Sequence, residues 1–269
     1  MRTFCASFVV AASLPAASSW ASSSSRLLRR GVRQGGIHRQ DTCTFTAVDA
    51  NGDDDGGSNA GWVGKATAAN FVSGALLGPN LDNYHSAFGV LKYNHPFYLY
   101  APDGSLLLTT SAFVPPLFGL AGIIVGGLYL ALDAVIDETQ GSNLSAMEPS
   151  GPLILTGISY FTFQYWLSGL LAGGLHASLL LVHGVLAATM AGSWVLFDGT
   201  LTGLLVGLAT ALGGPAIEFG LINQLHLYTY ADADMWGTAS WIPWVYGAGA
   251  PAVGNLARGY RALLRGSCD

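Results

Sequence analysis

The chain has 269 residues, of which 51% are hydrophobic and 10% charged, with a mean hydropathy of +0.43 and a formal net charge of −5. Soluble domains carry roughly 25% charged residues, so this is the composition of a membrane protein. No lysine or arginine lies between Lys92 and Arg258, and Cys5, Cys43 and Cys268 are few and scattered; a nucleic-acid-binding face, a disulfide framework and a cysteine metal cluster are excluded for the main body.

The first segment, 1–45, reads as a targeting presequence. Met1-Arg2 is followed by an apolar stretch and small residues at 16–21, the pattern of a signal peptide. Arg26, Arg29, Arg30, Arg33 and Arg39 then occur among serines, with no acid before Asp41. Arginine and serine without acid mark an organelle transit peptide. A signal peptide followed by a transit peptide predicts a plastid behind extra membranes; a plain organelle presequence is the alternative, with the ER membrane second as a destination. Residues 46–61, with Asp53-Asp54-Asp55-Gly56-Gly57, read as a flexible acidic linker.

Residues 62–266 read as the membrane domain. Five apolar segments, 106–132, 152–174, 177–197, 201–223 and 239–264, are long enough to span, which takes about 20 residues. They lack the alternation of barrel strands, so the predicted fold is all-α, a polytopic bundle. A sixth, shorter helix is expected at 62–77, followed by an interfacial loop rich in Tyr93, Phe97, Tyr98 and Tyr100; five helices is the alternative. The 36 glycines suit closely approaching helices in lipid. Arg258, Arg261 and Arg265 at the end of the last segment place the C-terminus on the cytosolic or stromal side.

Polar residues inside spans are costly and mark function or internal pairing. Glu218 follows Gly213-Gly214-Pro215, a predicted kink. It is either the polar contact of a bound ligand or a partner of His176, His183 or Gln164 within the bundle. Asp133 and Asp198 end apolar runs, as caps at the interface or as docking points. His176 and His183 are seven residues apart and have no third ligand at metal spacing; no metal site and no cofactor are expected. No nucleophile–base pair, phosphate loop or metalloprotease motif is present, so the sequence supports no enzyme.

Trp194-x-x-Phe197-Asp198, Tyr228-x-Tyr230-x-x-x-Asp234, Ser240-Trp241-x-Pro243 and Gly249-x-x-x-Val253-Gly254-Asn255-x-x-Arg258 form an ordered set of motifs. Ser111-Ala112-x-Val114-Pro115-Pro116, with Gly119, Gly126, Tyr129 and Asp133, precedes them. Together these resemble the insulin-induced gene protein (INSIG) family over most of residues 105–264. The resemblance implies a six-helix membrane protein without catalysis. Animal members bind oxysterols and hold sterol-sensing partners in the ER; bacterial relatives hold a diacylglycerol-like lipid in a central cavity. It implies partner binding at Asp198 and a lipid and partner region at Trp194. The chain departs from the family where Leu181 replaces the cavity glutamine and where Asp198-Gly199-Thr200 replaces Asp-Arg-Ser.

The expected function is therefore binding of a lipid (diacylglycerol-like, isoprenoid or sterol) by Trp194, Glu218, His183, His176 and Gln164, with Asp198 engaging a membrane-protein partner. The alternatives are a transporter using Glu218 and His176 as a proton relay, and a structural subunit of a membrane complex.

Overall fold

The computed structural model describes residues 57–140 and 148–265. The expected presequence and most of the linker lie outside them. Among the described residues the chain forms six α-helices. These are α1 (Gly57–Ala87), α2 (Val114–Gln140), α3 (Gly151–Gly169), α4 (Leu179–Phe197), α5 (Leu201–Asn223) and α6 (Ile242–Arg265). Lipid offers the backbone no hydrogen-bond partners, so spanning segments close their bonds internally as helices. Three of the six, α2, α4 and α5, are long and apolar enough on composition alone to cross a membrane. The others carry more polar side chains and turn many of them inward.

α1 departs most from expectation. In place of a short helix at 62–77, it runs 31 residues, through Pro79 to Ala87. The polar residues that suggest an exit from the membrane are satisfied inside the protein instead. The Asn80 amide donates to the Leu76 carbonyl at 2.8 Å, His85 meets Ser168 of α3 at 2.8 Å, and Asn83 accepts from the Thr109 backbone at 2.7 Å. Ser73 meets Tyr260 of α6 at 2.7 Å.

Two small antiparallel sheets follow from the connections. β1 (Leu91–Tyr93) pairs with β4 (Tyr228–Tyr230), with Leu91 opposite Tyr230 and Tyr93 opposite Tyr228. This ties the exit of α1 to the loop between α5 and α6. β2 (Phe97–Tyr100) and β3 (Leu106–Thr110) form a hairpin whose first strand exposes Phe97, Tyr98, Leu99 and Tyr100. Exposed aromatic and aliphatic side chains beside spanning helices fit the interfacial layer. The predicted first apolar segment, 106–132, thus divides into a strand and the start of α2.

α6 runs through the middle of the bundle, against all five other helices. Its small residues, Gly247, Ala248, Gly249, Ala250 and Gly254, are buried, and such residues let helices approach closely. A Cβ on Gly254 would overlap the Tyr129 ring, and one on Gly249 the Phe161 ring. α1 and α2 meet by the same device, Gly74 lying against the backbone of Phe118 and Gly122 against that of Asn70. Gly173-Gly174 closes a π-helical turn, Leu170–Gly174, that continues α3 before the chain enters α4. α5 is continuous through Pro215. The Thr200 hydroxyl caps α5 by accepting from the Gly203 backbone at 3.0 Å.

Candidate functional site

A cavity of about 290 Å³ opens among α1, α2, α5 and α6. Its wall is mostly aliphatic and aromatic, including Leu77, Leu81, Leu117, Phe118, Val125 and Phe161. Leu120, Ile124 and Leu128 of α2 and Ile217 of α5 line it and are also exposed on the outside of the bundle. The cavity therefore opens sideways between α2 and α5, toward where acyl chains lie. An apolar volume of this order, with a few placed polar groups, is the usual form of a small-molecule site.

Glu218 provides the main polar group. It is 4% exposed and lines the cavity from α5. Its predicted partners were His176, His183 or Gln164; three phenols hold it instead. Tyr228 donates to Glu218 Oε1 at 2.9 Å, and Tyr230 and Tyr246 donate to the same oxygen at 2.8 Å each. Burial, and then the nearby carboxylate, push the Tyr228 and Tyr230 phenols well above their ordinary range, so they remain donors. Glu218 Oε2 has no partner. Asp82, from α1, lines the same end and accepts from the Tyr93 phenol at 2.8 Å.

The other lipid-facing candidates lie elsewhere. His183 accepts the Trp244 indole N–H on Nδ1 at 2.9 Å, so its proton sits on Nε2, 3.0 Å from Ser240 Oγ. Ser240 Oγ in turn donates to Asp234 at 2.6 Å. The serine proton faces the aspartate and the imidazole has no free lone pair, so this chain of groups fastens α4 to the loop before α6 and does not activate a nucleophile. Gln164 is fully buried and donates to the Leu186 carbonyl at 3.2 Å. His176 is exposed beside the π-helical turn, in a separate cavity of about 60 Å³ with Gly173, Tyr230 and Trp241. The Trp194 indole donates to the Thr200 carbonyl at 2.9 Å. Leu181 is exposed on α4.

A second polar cluster lies at the other end of α5. Arg258 of α6 is 2% exposed; it donates to Asp133 through Nε and Nη2, both at 2.8 Å, and to Asp198 through Nη1 at 2.9 Å. Tyr129 and Thr200 each donate to Asp198 at 2.7 Å. Arg261 approaches Asp133 at 3.9 Å. This corrects two expectations. Asp133 is not a cap at the end of a span but an interior residue of α2, and Arg258 and Arg261 are not free charges at a membrane surface but parts of the bundle. Asp198, expected to dock a partner, has a side chain with no exposed surface. Among the described residues, no group of three or more His, Cys, Asp or Glu is placed to hold a metal ion.

Sequence reasoning missed Asp82 and the three phenols. One signal was available: Tyr228 and Tyr230 are two residues apart, and a strand turns such residues to one face. The Arg258 pairs gave no local signal, because Asp133 is 125 residues away.

No protein-family model matches the chain. It is 36% identical over 73 residues to the insulin-induced gene 1 protein of Danio rerio, an alignment covering 27% of this chain and 29% of that protein. It is 25% identical over 207 residues to the insulin-induced gene 1 protein of Gallus gallus, covering 76% of each. Among solved structures, an Insig homolog from Mycobacterium vanbaalenii matches with a TM-score of 0.58 at 22% identity, over 74% of this chain and 95% of that one. A cross-linked trimer of that homolog matches with a TM-score of 0.56 at 25% identity, over 75% and 95% of the two chains.

Proposed function

This chain is a divergent member of the insulin-induced gene protein (INSIG) family, and on that premise we propose that it is a non-enzymatic, multi-pass membrane protein that holds a lipid within its bundle and thereby regulates or scaffolds a membrane-protein partner. The observation that carries this reading is the cavity itself: apolar walls, a lateral opening between α2 and α5, and a buried Glu218 at one end. Aliphatic walls facing the bilayer suit an acyl or isoprenoid chain. A proton relay has less support, since Glu218 is fixed by three phenols and His176 is exposed beside the π-helical turn.

Asp198 then serves a partner indirectly. Its carboxylate is spent on Arg258, Tyr129 and Thr200, and it shapes the turn between α4 and α5, where Gly199 has φ +67°. The surface offered beside that turn is apolar, with Val195 and Leu196 exposed. Purification in mild detergent followed by mass spectrometry of bound lipids tests the reading. One enriched lipid class, lost when the cavity is filled, is expected; a lipid profile identical to that of the surrounding membrane would sink it. The arginine-rich leader favours a plastid membrane over the ER, and imaging of a C-terminal fluorescent fusion decides between them.

A further inference from the structure

The start of α1 and the end of α6 meet in a corner that is rich in donors and short of acceptors. Arg261 and Arg265 lie one helical turn apart and share a face of α6. Arg261 is 5% exposed, and its Nη2 is buried without a hydrogen-bond partner. Its Nη1 reaches Asp133 only at 3.9 Å, because that carboxylate already accepts two bonds from Arg258. Arg265 lies over the ring of Trp62 from α1, its Cζ 4.7 Å from the ring centroid. Stacking uses the face of a guanidinium and leaves the N–H groups at its edge free to bond. The Trp62 indole N–H is buried and also lacks a partner. Asp133 and Asp198 offset Arg258 and Arg261. Arg265 and the exposed Lys65 of α1 then remain in excess, with no ion pair among the described residues. Glu148, exposed before α3, pairs with none of them.

We infer that this corner binds the phosphate of an anionic lipid headgroup, with Arg261 Nη2, the edge of Arg265 and the Trp62 indole N–H as donors. Arginine forks and buried N–H groups suit phosphate oxygens, which accept several charge-assisted bonds at once. Tryptophan and arginine lie at headgroup level on a membrane surface, where basic pockets between spanning helices hold anionic headgroups. Val63 and Leu263, close to these donors in sequence, are exposed and face the acyl chains. The site stands at the end of the bundle away from Glu218 and does not depend on a lipid in the cavity.

Native mass spectrometry of the delipidated full-length protein tests this while dioleoylphosphatidylglycerol or dioleoylphosphatidylcholine is titrated. The two share chains and phosphate, but choline offsets the charge. The anionic lipid is expected to bind at least about tenfold more tightly, and inorganic phosphate to displace it only at concentrations at least about a hundredfold higher, since it has no chains to bury. Arg265→Gln and Trp62→Phe should each cut the preference by about fivefold or more without changing phosphatidylcholine binding or the unfolding temperature, as a merely structural role would. Arg261→Gln should abolish it; if that variant does not fold, the other two decide. Gly213 lines the cavity, and Gly213→Leu, which fills it, should keep the preference. Equal binding of both lipids, or a preference untouched by Arg265→Gln and Trp62→Phe, overturns the assignment. So does a preference lost in Gly213→Leu, which places the lipid in the cavity, or displacement by inorganic phosphate at matching concentration, which makes the ligand a free anion. Anionic lipid that binds only after Asp53, Asp54 and Asp55 are changed to Asn also overturns it, since the chain's own acids then fill the corner.

Discussion

The bundle contains two buried polar centres, solved in opposite ways. Thr200, beside the first, and Glu218, the heart of the second, are separated by about 27 Å of helix rise along α5. At the first, Asp133 and Asp198 meet Arg258, and the lone pairs left over are used by Tyr129 and Thr200. At the second, Asp82 and Glu218 meet phenols and no cation. The first cluster spends its carboxylates on partners from α2, α4, α6 and the turn before α5, and so ties those helices together. The second lies beside a cavity and leaves Glu218 Oε2 without a partner. Two acidic sites that look alike in sequence thus divide into a fastening and, on the function proposed above, a receptor.

That contrast breaks first at Arg258. Removing one partner of a buried ion pair leaves an uncompensated charge and costs about 3–5 kcal/mol. Arg258→Met strands two aspartates, so it should give the largest fall in thermal unfolding temperature in detergent. A fall no greater than that of Glu218→Gln would collapse the distinction between the two centres. Next comes Gly254→Val. Its side chain would displace the Tyr129 ring, which also donates to Asp198. Overpacking of this kind costs about 1–3 kcal/mol, and differential scanning fluorimetry can rank it between the two.

The receptor end should respond to ligand more than to stability. A Cβ on Gly213 would meet no neighbour within 4 Å, so Gly213→Leu is expected to keep the unfolding free energy of the delipidated protein within about 1 kcal/mol of wild type. The same variant should lose its co-purified lipid, which mass spectrometry per mole of protein would show. The smallest effect belongs to Asp103 in the hairpin turn, a control outside both centres. The Ser105 hydroxyl and then its backbone N–H hold the Asp103 carboxyl below its ordinary 3.8. A depressed folded value means the contact is present above the unfolded value and is lost as pH falls through the folded one. The NMR titration midpoint of Asp103 should therefore lie below 3.8 and rise in Ser105→Ala.

Much of this molecule is legible in its sequence. The helices α2 to α6 follow apolar runs bounded by charge, glycine or proline, and Glu218 is conspicuous because nothing charged surrounds it. The first helix is less legible. An interfacial loop is expected after residue 77, whereas α1 continues to Ala87 with Asp82 and His85 turned toward protein, and hydropathy does not record which way a side chain points. The partners of Glu218 are hidden differently. Tyrosine in a loop reads as a membrane-surface residue, and only the pairing of β1 with β4 turns Tyr228 and Tyr230 inward. His183 and Gln164 are polar residues in apolar helices, as expected of a binding site, but their hydrogen-bonding capacity goes to Ser240, Trp244 and Leu186.

The pairing of β1 with β4 also bears on when the molecule becomes whole. α1 and α2 are neighbours in sequence and can pack while the remaining chain is still being made. β1 cannot pair until β4 exists, and the bond from Asn94 to the His226 carbonyl links residues 132 positions apart. Glu218 enters the bilayer before any of its three phenols, which are all encoded after it. Until those tyrosines emerge, the acid lacks its hydrogen bonds and the cavity lacks its polar end. The phenols that complete the polar end of the cavity thus reach Glu218 only when the chain is nearly finished.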